Sequence, residues 1–416
     1  MIKVTPTITN SSEKDIAQRA WESIWNDLGQ EKGYTGFSCP LESFNESLAQ
    51  TIAGEYARSV LDIFVERFAQ VFSKNGFHDL FSSLLNADLP LELAWSSELG
   101  NLYKATRLGD EDHAMKSVAA FALMTGAKGF GGEWQIELTK PAKFFWDDWA
   151  LPACDKLTVI SSDSNASIKL SLDRDQTEVC FVRSLDGWKC QTPARAVRLP
   201  SIGSGRRRLV LLPRYAALDS GVFGDVDDAA LALETFSPDQ IAILTQAFDL
   251  LEEHLPHYFD WVVRIIQRVA VLQSGRNVLH SGSPENQYGM ILISDNFRVL
   301  SVAEMLIHEA SHQYFGLLNK LGPTVDPSHT ELYYSPVKQC DRPLHKILLA
   351  YHAFANVMLF YRGVAECGLA DSRFAKFQNV LNDELRQLEQ PLLKNDAILP
   401  IGRVLVEPLI ERSVWQ

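Results

Sequence analysis

The chain has 416 residues, 46 % hydrophobic and 22 % charged, an ordinary globular composition with length for two or three domains. Its net charge of −13 argues against a general nucleic-acid binder, which is normally basic. The N-terminal stretch MIKVTPTITNSSEKD lacks the apolar centre of a secretory signal, and no apolar run is long enough to span a membrane.

Residues 1–128 read as an N-terminal helical region. Ser12-Glu13-Lys14 opens an amphipathic stretch that carries Trp21 and Trp25. Glu42–Ser73 follows helical spacing through Leu48, Ile52, Tyr56, Val60 and Phe64, as one helix or two, because Gly54 interrupts it. Leu80–Leu99 and His113–Leu123 add shorter helical pieces, with Leu89-Pro90 as punctuation. The glycine-rich segment 126–132 marks a break and a connector; no Lys-Ser/Thr follows to make it a phosphate loop. Residues 129–225 read as a small antiparallel β module with strands at Trp134–Leu138, Leu157–Ser161, Ser167–Leu172, Glu178–Val182 and Arg208–Leu212, and a hairpin turn at Asp186-Gly187. Arg206-Arg207-Arg208 precedes the last of these runs and reads as a solvated strand start. The six cysteines form no C-x-x-C pair and suit reduced thiols in a cytoplasmic protein, although Cys180 and Cys190 flank the hairpin and could meet.

Residues 226–416 read as the catalytic region. Ser237-Pro238-Asp239 caps a helix with proline at its first position. Val262–Val271 is helix or strand, Ser281–Asn286 is a polar loop, and Tyr288–Ser294 is a short strand. The next helix carries His308-Glu309-Ala310-Ser311-His312, an H-E-x-x-H pattern. Ser301 with Glu304 reads as its capping box and Gly322-Pro323 as its stop. Residues four apart share a helix face, so His308 and His312 can grip one metal ion, while Glu309, about 100° away round the helix, can lean toward it. The expected fold is α+β and mostly helical, with a zincin-like metal helix, an N-terminal helical region and a small antiparallel β module.

Two histidines leave a metal under-coordinated, and a third carboxylate ligand suits either a catalytic zinc or a non-haem Fe(II) site. Glu331, 19 positions after His312, is the leading candidate; Asp326, His329, Asp341, His345 and His352 are its rivals. A zinc peptidase would use Glu309 as general base on water. An Fe(II) and 2-oxoglutarate oxygenase would need room for the keto acid and O2, and a cation for the distal carboxylate. Arg342 offers a bidentate guanidinium, with Tyr333 or Tyr334 adding a hydroxyl. Beyond these, Leu344–Tyr361 and Phe374–Leu393 read as helices.

Three features carry a family resemblance: the HEASHQYFGLLNKL helix, Tyr333-Tyr334-Ser335-Pro336 followed by Arg342-Pro343-Leu344, and the helix ILLAYHAFANVMLFY. With the glycine-serine loop and YGMILIS strand before them, Ser281 to Tyr361 resembles the H-E-x-x-H-type peptide β-hydroxylases that modify ribosomally made peptides. The resemblance implies an Fe(II)- and 2-oxoglutarate-dependent hydroxylase acting on a β-carbon of a precursor-peptide residue. It implies His308 and His312 as iron ligands and a 2-oxoglutarate role for the tyrosine–arginine segment. The family carries W-R-D-D-P before R-P; here Val337-Lys338-Gln339-Cys340-Asp341 stands instead, which favours Glu331 as the acidic ligand. The alternatives are the zinc peptidase and a metal- or peptide-binding protein without turnover. The expected partners are thus a precursor peptide and O2, with no nucleic acid and no membrane.

Overall fold

A computed structural model describes residues 34–70, 78–85, 87–162, 167–172, 177–184, 187–192, 196–205, 207–213, 222–225, 236–272, 281–294, 298–370 and 372–412. The stretch from Ser12 to Trp25 and the Asp186 turn position lie outside these residues. The fold is mixed α/β, 53 % helical and 23 % strand.

The N-terminal helices are α1 (Thr35–Ser38), α2 (Glu46–Arg67), α3 (His78–Leu85), α4 (Leu91–Ala94), α5 (Ser97–Leu108) and α6 (Glu111–Ala127). The run around Gly54 is one continuous helix, with Asn45 accepting from the Leu48 amide as its cap. The Leu80–Leu99 stretch comes as helical pieces divided at Leu89-Pro90, and a further break falls where Ser96 caps a fresh start at Ser97.

The β module follows as β1 (Gly132–Trp146), β2 (Trp149–Ala150), β3 (Cys154–Ser162), β4 (Ser167–Leu172), β5 (Thr177–Ser184), β6 (Gly187–Cys190) and β7 (Val197–Arg198). They form an antiparallel sheet in the order β6-β5-β4-β3-β1-β2-β7, with β10 (Phe223–Asp225) also on β1. Cys190 pairs in register with Phe181 rather than Cys180, and all six cysteines are free thiols.

The run Arg208–Leu212 does not belong to this sheet. It forms β9 (Arg207–Leu212), between β8 (Ser201–Ser204) and β11 (Arg268–Leu272), in a second sheet ordered β12-β13-β11-β9-β8. There β9, β11 and β13 (Met290–Ser294) run parallel, with β12 (Ser281–Gly282) at one edge. Leu209 through Leu212 are all buried, two toward each side. A strand buried on both faces is what the middle of a parallel sheet requires. The helix expected after Ser237 is α7 (Pro238–His254), with its Ser237/Gln240 capping box, and the ambiguous run Val262–Val271 resolves into both forms, the end of α8 (Pro256–Ile265) and then β11.

The H-E-x-x-H segment lies on α9 (Val299–Leu318). Ser301 does not cap it: the helix starts earlier, after extended Arg298, and no side chain caps its end. Glu304 instead accepts a 2.8 Å hydrogen bond from Tyr361 Oη. The chain then makes a hairpin the sequence did not announce, β14 (Leu332–Ser335) with β15 (Cys340–Pro343). It runs on into α10 (Leu344–Glu366), α11 (Ser372–Glu389) and α12 (Pro400–Glu411), the last also unexpected. Helix α10 is long and apolar enough to cross a membrane, yet it is mostly buried inside the fold. One hydrophobic core joins residues from Tyr34 to Leu409, so all three regions of the chain share it.

Candidate metal centre

Helix α9 has two working faces. On one, Tyr314 stacks on Trp261 with ring centroids 4.5 Å apart and meets Phe37 and Phe44 edge-on. Beside it, Gln313 accepts from Trp95 Nε1 and from the Gly289 amide. These contacts fix the helix against the N-terminal region and the second sheet. On the other face His308 and His312 lie one turn apart, ring centroids 4.6 Å apart and nearly perpendicular, with His308 edge-on to Phe354 of α10.

The ligand atoms of His308, Glu309 and His312 all lie within 4.8 Å of one another. His312 Nδ1 is buried and has no hydrogen-bond partner among the described residues. An orphaned imidazole nitrogen beside a second imidazole and a carboxylate is the donor set a divalent metal needs, so the residues fit one. Burial pushes the pKa of both histidines down to about 3. His308 is lowered further by its neighbour His312 and by Lys338, and Glu309 opposes the shift. His312 is lowered further by His352 and Lys346. Both rings are therefore neutral at pH 7, the form that ligates metal.

Glu309 is 1 % exposed, and each of its oxygens is held. Ser281 Oγ donates to Oε1 at 2.5 Å and Ser283 Oγ to Oε2 at 2.8 Å. The pairing of Ser281 with Ile293 across β12 and β13 sets that loop over the metal helix. The polar loop was visible in the sequence; its grip on Glu309 was not, since no local spacing links residues 26 and 28 positions apart.

Glu331 does not join this group. It is exposed, and its carboxylate accepts a 2.9 Å hydrogen bond from Tyr333 Oη. That hydroxyl also meets His329 Nε2 at 3.0 Å and Asn395 Nδ2 at 3.3 Å. Glu331 directly precedes the first strand of the β14–β15 hairpin, and its carboxylate is taken up by Tyr333. None of the rivals is a member of the group, although His352 lies close enough to His312 to lower its pKa. Asp326 accepts from the Ser328 amide and hydroxyl, and Asp341 and His345 are exposed. His352 is fully buried, its Nε2 shared between the carbonyls of Phe37 and Ser38.

The tyrosine–arginine segment is the hairpin. Tyr333 lies directly across from Arg342 in its ladder, which puts both on one side of it. Arg342 forms no ion pair with a described residue. Tyr334 points away from the core and is 52 % exposed. Lys338 in the hairpin turn and Lys346 in the first turn of α10 add positive potential at the histidines.

No protein-family model matches the chain, and no curated protein matches it.

Proposed function

We propose that the chain is an Fe(II)- and 2-oxoglutarate-dependent hydroxylase acting on a β-carbon of a residue in a ribosomally made peptide. The observation that carries this reading over hydrolysis is the restraint on Glu309. Both of its oxygens are already engaged by the hydroxyls of Ser281 and Ser283, which turn the carboxylate toward that loop and leave neither oxygen free to reach a water. Such a carboxylate is suited to holding a position.

In this reading His308 and His312 hold the metal as neutral imidazoles, with Glu309 the carboxylate beside them. Fe(II) with 2-oxoglutarate supplies the chemistry that inserts an oxygen atom from O2 into a C–H bond while the keto acid is oxidised. The chain contributes placement. Arg342 receives the distal carboxylate of the keto acid, with the Tyr333 hydroxyl on the same side of the hairpin. Lys338 and Lys346 favour an anionic co-substrate near the histidines. Phe354 packs edge-on against the His308 ring and limits its orientation.

The His-Glu-His grouping itself also suits a zinc peptidase, and Glu309→Gln separates the two. Hydrolysis would be nearly abolished by the loss of its base, whereas hydroxylation would keep a substantial part of its turnover. The direct experiment is anaerobic: metal-free protein receives Fe(II), then 2-oxoglutarate, and visible absorption is followed. A weak charge-transfer band that needs both additions and is missing in His308→Ala is the expected result. Copurifying zinc that resists exchange, with no band, would sink the hydroxylase reading. Stoichiometric iron with a band and no turnover on any peptide would point to a binding protein.

A further inference from the structure

Three tyrosines from separate segments surround the side chain of Lys320, which lies just beyond the end of α9. Tyr56 comes from α2, Tyr103 from α5 and Tyr288 from the loop before β13. Lys320 Nζ lies 4.5 Å from the centre of the Tyr56 ring, 5.0 Å from that of Tyr288 and 5.8 Å from that of Tyr103. None of these residues belongs to the metal group or to the serine pair that holds Glu309.

The fold holds these rings in place by contacts among themselves. Tyr288 Oη donates to Asn286 Oδ1 at 3.4 Å, so Tyr56 Oη is the donor of the 2.7 Å bond between the two tyrosine hydroxyls. The Tyr56 ring meets Tyr288 edge-on at 5.7 Å between centroids and lies 6.3 Å from Tyr103. Trp95 stacks on Tyr288 with centroids 4.1 Å apart, and its own N–H is fixed by Gln313 of α9. Gly100, on the turn of α5 before Tyr103, lets the loop close in, since a Cβ there would strike the Asn286 backbone. Rings fixed in advance lose little freedom when they receive a cation.

The occupant in the structure is a cation that only the rings meet. Among the described residues Lys320 has no ion pair, and its Nζ has no hydrogen bond. A ring face attracts a cation, more strongly as water is excluded. It supplies no lone pair to the three N–H donors of a primary ammonium, a strongly hydrated group. A quaternary ammonium has no N–H to satisfy, so a cage of rings with no carboxylate in ion-pair reach suits it better than it suits lysine. We propose that this cage is a binding site for a quaternary ammonium group, borne either by a small choline-like molecule or by a trimethylated lysine of a peptide, with Lys320 as its built-in competitor. The ligand's ammonium takes the position of Lys320 Nζ among Tyr56, Tyr103 and Tyr288, and the half-buried lysine side chain swings out to solvent. A tethered competitor acts at an effective concentration on the order of millimolar, so it keeps weak cations out and yields to a better one.

The test uses the full-length, metal-free protein, so its outcome is independent of any activity at the histidines. Calorimetric titrations of Lys320→Ala are run with choline, with N-acetyl-trimethyllysine amide, and with the neutral isostere of choline in which a tert-butyl group replaces the trimethylammonium. Saturable binding of one or both cations, but not of the isostere, is expected. The parent protein is expected to bind the same cation about tenfold more weakly, because its own lysine competes. Adding Tyr103→Leu to Lys320→Ala removes the ring at the half-buried rim and is expected to weaken binding about fivefold, as loss of one cation–π contact should. Tighter binding of the trimethyllysine amide identifies a peptide side chain as the ligand; tighter binding of choline identifies a small molecule. A second readout needs no substitution. In the parent protein with isotope-labelled lysine, the Lys320 ε-methylene protons are expected to resonate upfield under the rings and to move to their solvent position as choline is added. Failure of both cations to bind folded Lys320→Ala at tens of millimolar, equal binding of the isostere, indifference to Tyr103→Leu, or Lys320 resonances that choline leaves in place overturns the proposal and leaves the cage as a lock on the end of α9.

Discussion

Glu309 is the residue at which stability and chemistry meet. A buried carboxylate is tolerated only when its charge is solvated by the protein, and Ser281 and Ser283 do this. Replacing both by alanine is expected to cost about 3 kcal/mol in urea unfolding, the range for losing hydrogen bonds to a buried charge. The same double variant is expected to bind metal more weakly in a competitive chelator titration. His352 gives the clearest pH dependence. Burial lowers its pKa to about 4, opposed by the carbonyls of Phe37 and Ser38. Its folded pKa lies below the value of about 6.5 for an exposed imidazole, so the unfolded chain takes the proton first on acidification. The stabilisation is present above pH 6.5 and lost as pH falls toward 4, by on the order of 3 kcal/mol at most. His352→Asn is expected to be less stable at pH 7, with the gap to the parent protein narrowing by pH 4.5; a constant gap would show that the ring titrates freely in the fold.

At the scale of elements, the site depends on how closely two segments approach. Helix α5 lies so near the loop after β12 that a Cβ at Gly100 would run into the Asn286 backbone carbonyl. Asn286 itself has a φ of 63°, a left-handed conformation that asparagine tolerates. This loop is the one that carries Ser283 and, just before it, Ser281. Gly100→Ala is expected to cost about 1–3 kcal/mol through overpacking and to loosen metal binding in parallel, because the serines move with the loop. Unchanged metal affinity in a destabilised variant would show that the loop yields elsewhere. The hairpin β14–β15 is the other placing element. Its strands are largely exposed, so its order comes from its ladder and from the Tyr333 hydroxyl, which ties together His329, Glu331 and Asn395.

At the scale of the molecule, the N-terminal helices are part of the interior of the region from 226 to 416. Phe37 and Phe44 pack on Tyr314, Trp95 hydrogen-bonds Gln313, and the backbone of α1 partners His352. Residues 226–416 expressed alone would expose that apolar surface and leave His352 without its acceptors. The fragment is expected to lack a cooperative thermal transition by circular dichroism, and a sharp one would show that it folds by itself. Metal added to the whole chain should raise its melting temperature, by the equivalent of about 2.7 kcal/mol at a hundredfold excess over Kd, and should not do so in His308→Ala.

The sequence by itself determined the features that depend on near neighbours. The Ser237 cap with proline at the first helical position, the strand Ser167–Leu172 and the one-turn spacing of His308 and His312 are all written within a few residues. The apolar surround of α9 is legible for the same reason, although the helix begins at Val299 and Ser301 does not cap it. Only the tertiary structure decided the rest. It moved Leu209–Leu212 into the second sheet, separated Glu331 from the histidines, buried His352 against Phe37 and Ser38, and placed two serines on Glu309. Helix periodicity and capping act over one turn of chain. A hydrogen bond to a buried carboxylate or a place in a parallel sheet is set by whichever distant segment packing brings alongside, and no local pattern encodes that choice.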